Sequence, residues 1–281
     1  MGVLLTLNFA FCLYFNLRYP NPKWDWSKIR TDDIAFPQNF LWGAATSAYQ
    51  IEGGLTKNTW YRWERTPKEH GYPRIARGET AGMAANHYKL YREDVKLMQD
   101  FGLNAYRFSI EWSRIEPEEG KFDLAAIEHY RDLIRRLRAA NIEPMIALHH
   151  FTDPLWFADK GGFEKEENLQ YWYRYANRLF NEYQDEVVYW GTFNELNLYP
   201  VSSYLEGGLP PGKHDFALSC RVAKHMLMAH VVTYENFKKM SRSKKHQVGA
   251  IVSVLEARPH NSWSLLDWIV ADYEEQIWMG G

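Results

Sequence analysis

Short apolar runs alternate with longer segments of helical periodicity along most of this sequence. The apolar runs lie at residues 40–49, 104–110, 143–151, 187–194 and 248–255. In the segments between them, apolar residues recur three or four positions apart, which is the spacing of one face of an α-helix. The pattern therefore predicts five strands, with helices over residues 80–101, 127–137, 168–183, 215–240 and 264–278.

Strands that are apolar on both faces and alternate with helices indicate a parallel sheet. Polar residues with catalytic or binding chemistry cluster where these strands are predicted to end, at Gln50, Glu111, His150, Glu195 and Glu256. In a (β/α)8 TIM barrel the active site lies at this carboxyl edge. A doubly wound open sheet is the alternative, but no Gly-rich phosphate turn follows any strand. We therefore predict an α/β fold, an incomplete (β/α)8 TIM barrel with about the first five βα units.

Residues 1–33 are predicted to be an N-terminal extension, followed by a partial barrel domain over residues 34–281. No charge occurs from Gly2 to Leu17, which raises the possibility of a signal peptide or membrane anchor. Against this, no basic segment precedes the run, Asn8 and Asn16 interrupt it, and a spanning helix needs ~20 residues. We favour a peripheral extension or a mis-set start codon, and hence a cytoplasmic protein. Membrane anchoring or export is the alternative.

Composition argues against some classes of partner. With 33 basic and 35 acidic residues the formal net charge is −2, which speaks against nucleic acid or a membrane surface because both attract basic faces. Cys12 and Cys220 lack metal-binding spacing and are predicted to be free thiols of a reducing compartment. Neither a metal nor another cofactor is expected. The aromatic share of 16%, with 12 Trp, suits either a large core or a pocket whose rings stack on sugars.

Glu195 is the strongest candidate for catalysis. It ends a buried strand in the segment Thr-Phe-Asn-Glu-Leu at residues 192–196. Partial burial of a strand-end carboxyl favours the protonated form that a general acid needs. The amide of Asn194 beside it could hold a sugar hydroxyl. From spacing alone the alternative stays open, since a glutamate at a strand end can simply meet solvent.

Four longer motifs carry a resemblance to a known family. They are FLWGAATSAYQIEG (40–53), NAYRFSIEWSRIEPEEGKFD (104–123), ALHHFTDPLWFADKGGF (147–163) and TFNEL (192–196). In this order and spacing they resemble glycoside hydrolase family 1, the β-glucosidase family. The resemblance runs from about Ile34 to the fifth strand. One such motif would be suggestive, whereas four together are a specific signal.

The resemblance implies roles for five residues. Glu195 matches the general acid/base, and Asn194 matches the residue that binds the sugar's 2-hydroxyl. Gln50 and His150 match residues that bind the glycone, and Arg107 matches the arginine that contacts the nucleophile and keeps it ionised. Without the resemblance, Gln50 would be interpreted as a polar loop residue and Arg107 as half of a structural ion pair. Because adjacent strand residues point to opposite faces, the histidine before His150 is expected to lie in the core.

The same resemblance implies that the nucleophile is a glutamate in a Thr-Glu-Asn-Gly-like segment at the seventh strand. The 281 residues contain no such segment. Thr233-Tyr234-Glu235-Asn236 imitates it, but Glu235 lies in a stretch of helical periodicity and is interpreted as a surface residue. Glu111 is interpreted as part of the Glu-Trp-Ser-Arg framework at a strand end rather than as the nucleophile.

The predicted function is that of a retaining β-glycosidase of the β-glucosidase or β-galactosidase type, which hydrolyses a β-linked glycoside or oligosaccharide. Such an enzyme uses two carboxyl groups about 5–5.5 Å apart, a nucleophile and an acid that later serves as the base. Because the nucleophile is missing, we expect the 281-residue chain to be inactive alone. The alternatives are a glycosyl-transferring relative that uses a sugar or lipid acceptor, and a non-catalytic carbohydrate-binding fragment.

Overall fold

The computed structural model describes residues 2–20, 25–28, 30–32 and 34–279. The chain forms two compact units. One comprises Leu41–Val252, and the other combines Met1–Phe40 with Ser253–Gly281. The predicted domain boundary after residue 33 falls inside the second of these units and remains a prediction.

Helices and strands alternate along the described residues. The strands are β1 (Gly43–Ala45), β2 (Ala105–Ser109), β3 (Glu143–His149), β4 (Tyr189–Asn194) and β5 (Gln247–Ile251). The helices are α1 (Gly2–Arg18), α2 (Ala48–Ile51), α3 (Thr59–Arg65), α4 (His87–Asp100), α5 (Trp112–Ile115), α6 (Leu124–Ala139), α7 (Leu155–Asp159), α8 (Leu169–Tyr183), α9 (Leu198–Pro200), α10 (Phe216–Met240) and α11 (Leu265–Met279). A short π-helical segment, Val201–Leu205, continues α9.

The strands form one parallel sheet in the order β1-β2-β3-β4-β5. Ala105 of β2, for example, pairs with Gly43 of β1 on one side and with Glu143 of β3 on the other. Each strand therefore lies beside the strands that precede and follow it in the chain, and all the carboxyl ends meet at one edge. Parallel strands in sequential order, each followed by a helix, are the arrangement of a (β/α)8 barrel.

Helix α6 shows why the helical periodicity was recognisable in the sequence. Ile127, Tyr130, Ile134 and Leu137 recur along one face, and all four side chains are buried where the helix packs on β3. The N-cap Asp123 accepts hydrogen bonds from the second and third backbone N–H groups after it, at 2.8 and 3.0 Å. These bonds satisfy donors that the first helical turn otherwise leaves unpaired. Local capping and core packing therefore agree on where this helix starts.

Much of the aromatic content serves the core between α8, α10 and the sheet. Trp172 of α8 is fully buried, and its ring stacks on Phe193 of β4 with ring centroids 4.3 Å apart. Its Nε1 donates to Thr233 Oγ1 of α10 at 2.8 Å. Tyr175, also fully buried, donates its hydroxyl to the carbonyl oxygen of Leu148 in β3 at 2.9 Å. Trp172 and Tyr175 are thus buried with a hydrogen-bond partner for the polar atom of each ring.

Several of the predicted element boundaries were wrong. The strand predicted over residues 40–49 spans only Gly43–Ala45, because α2 already begins at Ala48. The helix predicted to start at residue 80 starts at His87, because Gly82, Ala84 and Asn86 adopt left-handed φ values of 51°, 47° and 55° that a helix excludes. The strand predicted to reach residue 255 ends at Ile251. The apolar side chains that follow it are largely exposed, so the apolar run in the sequence is longer than the strand.

In the second compact unit, α1 packs on α11. The two asparagines that interrupt its apolar run both form hydrogen bonds near the start of α11. Asn8 Oδ1 accepts from the backbone N–H of Leu265 at 3.0 Å, and Asn16 Nδ2 donates to the carbonyl oxygen of Ser262 at 2.7 Å. No helix in the described part of the chain combines the length and the apolar character needed to cross a membrane. The assignment of this segment as an extension, an anchor or an export signal remains a prediction.

Candidate active site

Glu195 directly follows β4 at the carboxyl edge of the sheet. Its φ of +49° lies in the left-handed region, which is unfavourable for a residue with a side chain and is enriched at functional sites. The backbone N–H groups of Leu198 and Tyr199 donate to the Glu195 carbonyl oxygen at 2.9 and 3.0 Å. The chain therefore turns away from the sheet at Glu195, which remains half-buried.

Three of the predicted site residues each have a buried polar atom without a hydrogen-bond partner in the described part of the chain. Among the described residues, the buried Asn194 Oδ1, Arg107 Nε and His150 Nδ1 have no hydrogen-bond partner. Buried polar atoms are nearly always paired, and leaving one unpaired costs roughly 1–3 kcal/mol. These three residues belong to β2, β4 and the end of β3, which are neighbouring strands. Such unpaired atoms are suited to a ligand rich in hydroxyl groups.

Electrostatic interactions connect the same strands. Burial lowers the pKa of Arg107 on β2, and the charge of Glu195 opposes that shift. Burial also lowers the pKa of His150 to about 3, and the positive charge of Arg107 adds to the shift. The structure thus brings Arg107, His150 and Glu195 together, although they are far apart in the sequence.

We expect His150 to remain a neutral imidazole between about pH 5 and pH 8, because burial and the nearby guanidinium of Arg107 both disfavour its cation. A neutral ring offers one donor and one acceptor to a ligand. The measurement is a pH titration of the histidine ring C–H signals by nuclear magnetic resonance in the full-length protein. The signal that His150→Asn removes should not shift over this range. A midpoint near the ordinary value of about 6.5 for that signal would contradict the expectation.

The histidine before His150 faces the core. His149 is buried, its Nε2 lies 3.1 Å from Asp153 Oδ1, and its ring packs against Phe193 of β4. Asp153 also accepts a hydrogen bond from the Tyr199 hydroxyl at 2.9 Å. This arrangement agrees with the expectation that adjacent strand residues point to opposite faces.

Gln50 lies in α2, shortly after β1, and is exposed. The backbone N–H of Ala48 donates to Ser109 Oγ at the end of β2 at 2.7 Å, so α2 is attached to the carboxyl edge of the sheet. In the described part of the chain, no hydrogen bond joins the Gln50 side chain to Asn194 or Glu195. Gln50 is therefore placed at the same edge of the sheet as the other site residues without direct contact to them.

A buried ion pair next to Gln50 was not predicted from the sequence. Glu52 is 3% exposed, and it accepts hydrogen bonds from Arg114 Nε at 2.6 Å and from the Tyr130 hydroxyl at 2.5 Å. Arg114 Nη2 also donates to the carbonyl oxygen of Gly53 at 2.5 Å. Burial raises the pKa of Glu52 to about 7, and the charge of Arg114 opposes this shift. The pair therefore holds the chain directly after Gln50 at an electrostatic cost.

The other carboxylates considered in the sequence have different roles. Glu111 is fully buried and accepts from Ser113 Oγ at 2.6 Å and Thr152 Oγ1 at 3.0 Å, so it caps α5 with its oxygens occupied. Glu235 lies on the exposed face of α10, which agrees with its interpretation as a surface residue. The placement of Glu256 at a strand end was wrong, because β5 ends at residue 251 and Glu256 belongs to the second compact unit.

Comparison with protein families gives a match to the model described as Glycosyl hydrolase family 1, over residues 32–281. Among characterised proteins, a β-glucosidase A from Acetivibrio thermocellus is 36% identical over 214 residues, which cover 74% of this chain and 47% of the relative. A 4-hydroxy-7-methoxy-3-oxo-3,4-dihydro-2H-1,4-benzoxazin-2-yl glucoside β-D-glucosidase from Secale cereale is 36% identical over 269 residues, covering 88% of this chain and 44% of the relative. The chain thus spans about half the length of these relatives.

Solved structures show the same similarity in three dimensions. A β-glycosidase from Pyrococcus horikoshii is 36% identical with a TM-score of 0.75, and the match covers 87% of this chain and 54% of that one. A family 1 β-glucosidase from Thermotoga maritima, in complex with isofagomine lactam, is 28% identical with a TM-score of 0.79, covering 86% of this chain and 55% of that one. Together with the sequential parallel sheet, this similarity confirms the predicted class, an incomplete (β/α)8 barrel.

Proposed function

Because its residues 32–281 match the family model, the chain belongs to glycosyl hydrolase family 1, and we propose that the protein is a retaining β-glycosidase. The resemblance found in the sequence motifs is thereby confirmed. The proposed substrates are β-linked glucosides, galactosides or oligosaccharides. β-Glucosidases among its relatives support this class of substrate.

In the proposed mechanism, Glu195 donates a proton to the oxygen of the leaving group and later removes a proton from the attacking water. A retaining enzyme also needs a carboxylate nucleophile about 5–5.5 Å from the acid. Glu111 caps α5 with its oxygens occupied, Glu235 is exposed on α10, and Glu256 follows the end of β5 and belongs to the other compact unit. None of these three is therefore proposed as the nucleophile, and the 281 residues alone are proposed to be inactive.

The remaining residues would bind the sugar. We assign Asn194 to the 2-hydroxyl, His150 and Gln50 to other glycone hydroxyls, and Arg107 to the support of the nucleophile. The observation that carries the proposal is that three polar atoms on or at the end of β2, β3 and β4 are buried without partners among the described residues. Hydroxyl groups of a bound sugar would supply these partners and so recover the cost of leaving them unpaired.

The proposal is tested with an alkyl β-glucoside, whose leaving oxygen needs a proton, and the full-length protein. Glu195→Gln keeps the shape of the side chain but cannot transfer the proton, so we expect kcat/KM to fall about 10²–10⁴-fold. Glu235→Gln, the same change on the exposed face of α10, should leave kcat/KM within about twofold, as is usual for surface substitutions. Equal losses in both variants, or no loss in Glu195→Gln, would refute the assignment of Glu195.

A further inference from the structure

A cavity of about 450 Å³ lies apart from the residues proposed to bind and cleave the sugar. Its walls come from α3 and the segment that follows it, from residues 158–165, and from residues 210–213. These segments follow β1, β3 and β4 in the chain. None of the lining residues is assigned to the sugar or to proton transfer, so the cavity is a separate feature.

The charge in this cavity is unbalanced. Five basic side chains line it against two carboxylates, an excess of three positive charges. Both carboxylates are already neutralised, since Arg62 contacts Asp159 through two hydrogen bonds of 2.6 and 3.1 Å and Lys213 contacts Glu164 at 2.6 Å. The remaining basic residues are Arg74, Lys160 and Lys165.

Among the residues that the structure describes, two of these three cations have no carboxylate partner. Lys160 Nζ lies 2.9 Å from Glu119 Oε2, so the positive charge of Lys160 is also neutralised by a carboxylate. Within the part of the chain that the structure describes, Arg74 and Lys165 form no ion pair. Arg74 Nε is in addition buried without any hydrogen-bond partner among the described residues. An unpaired N–H of a guanidinium at a cavity wall is a costly arrangement unless a ligand completes it.

The Arg74 guanidinium is held in a fixed orientation. It lies 4.1 Å from the ring centroid of Trp63, in the range of a cation–π contact. Trp63 is only 6% exposed and is packed closely by Gly212, whose φ is +77° and where a Cβ would lie 2.5 Å from the ring. A guanidinium stacked on a rigid ring keeps the N–H groups at its edge available, and this planar group suits bidentate contacts to oxyanions.

We propose that this cavity binds a small ligand with a doubly charged oxyanion, of the phosphate monoester class. Two unmatched cations suit a group of charge −2, and a phosphate ester carries about −1.5 to −2 near pH 7. Arg74 donates to two of its oxygens, and Lys165 supplies the second positive charge. The prolines at 210 and 211, which also line the cavity, offer an apolar surface for the organic part of the ligand.

The test is calorimetric titration of the full-length protein with inorganic phosphate at constant ionic strength. Arg74→Gln should weaken phosphate binding at least about tenfold, the loss expected when a charge-assisted bidentate contact is removed. Arg77→Gln is the matched control, because Arg77 lies three residues away, is exposed, changes the net charge equally and does not line the cavity. It should leave the affinity unchanged. Arg74→Lys, which keeps the charge but loses the planar group, should give an intermediate affinity.

Several results would overturn the proposal. They are no phosphate binding by the unmodified protein, equal weakening in Arg74→Gln and Arg77→Gln, and acetate binding as tightly as phosphate. The first two would mean that there is no phosphate site at Arg74, and the third that the site does not select a double charge. Thermal melting in chloride buffer shows whether Arg74→Gln is folded. If it is not, Lys165→Gln replaces it, with the same expected weakening and the same control.

The phosphate experiment is independent of the glycosidase proposal. Phosphate binding should be the same in Glu195→Gln, because that residue does not line the cavity. A loss of phosphate binding in Glu195→Gln together with full binding in Arg74→Gln would place the anion at the sheet edge and overturn the cavity assignment.

Discussion

We expect a Glu195→Gly variant of the full-length protein to lose hydrolysis of alkyl β-glucosides by about 10²–10⁴-fold, the usual contribution of general acid–base assistance. An alkoxide leaves slowly without a proton, whereas dinitrophenolate leaves without one. The first step with dinitrophenyl β-glucoside should therefore survive, and the glycosyl-enzyme should accumulate because no base activates water. Rapid-mixing kinetics should show a burst of dinitrophenol followed by slow turnover.

Azide should restore turnover of dinitrophenyl β-glucoside by this variant, because azide attacks without losing a proton. The product should be a β-glycosyl azide. An α-azide product would instead mean that the nucleophile had been lost. If turnover depends neither on the leaving group nor on azide, Glu195 is not the acid/base. Glu235→Ala on α10 should show neither the selective loss nor the rescue.

The glycine variant should also fold at least as stably as the unmodified protein. Glu195 adopts a φ of +49°, and glycine reaches this region without the penalty that a Cβ brings. A lost activity in Glu195→Gly therefore reports on chemistry, provided that thermal melting shows an undiminished midpoint.

The second large effect concerns the buried ion pair beside Gln50. Arg114→Met should lower the free energy of unfolding by about 3–5 kcal/mol, because it leaves the carboxylate of Glu52 buried without its partner. In the unmodified protein, burial lowers the pKa of Arg114 but the charge of Glu52 reverses that shift, so each residue depends on the other. Denaturant unfolding of the full-length protein measures the loss. Lys239→Met is the control, since its contact with Glu235 is exposed at 3.9 Å and such pairs contribute at most about 1 kcal/mol.

The deficit of Arg114→Met should depend on pH in a defined direction. Burial raises the pKa of Glu52 above the value of about 4.3 in an unfolded chain, and more so without the guanidinium. The folded variant then binds more protons than the unfolded one, so its free energy of unfolding falls as the pH rises from about 4 to about 8. The loss of unfolding free energy relative to the unmodified protein should be smallest at low pH. Adding Glu52→Gln to the variant should recover part of this loss. A deficit independent of pH would show that lost packing, not the stranded charge, is responsible.

The order and type of the main elements could be predicted because burial imposes simple periodicities. The stripe of α6 from Ile127 to Leu137 was visible as helical spacing, and all its members are buried. Local conformation was harder to predict. The apolar run after Ile251 looked like strand but left the sheet, because hydrophobicity does not determine where backbone pairing ends. Left-handed residues such as Ala84 and Asn86 likewise carry no clear signal in sequence periodicity.

For the site, the sequence indicated the residues one at a time but not their neighbours. Arg107 lowers the pKa of His150, and the charge of Glu195 acts on the pKa of Arg107, because β2, β3 and β4 lie side by side in the sheet. That arrangement depends on tertiary pairing. The ion pair of Glu52 with Arg114 was missed for the same reason. Its members lie in two different motifs, QIEG and WSRI. A glutamate before a glycine is normally predicted to lie in an exposed turn.

The sequential strand order has a consequence for how the protein is made. Each strand pairs with the strand synthesised just before it, as Glu143 with Ala105 and Tyr189 with Met145. Domains begin to fold during synthesis, N-terminal parts first, so this sheet can grow by one strand at a time as the chain leaves the ribosome. Arg107, His150 and Glu195 would then reach their positions in that order. We expect limited proteolysis of stalled nascent chains to show protection of β2 and β3 before β4 has been translated.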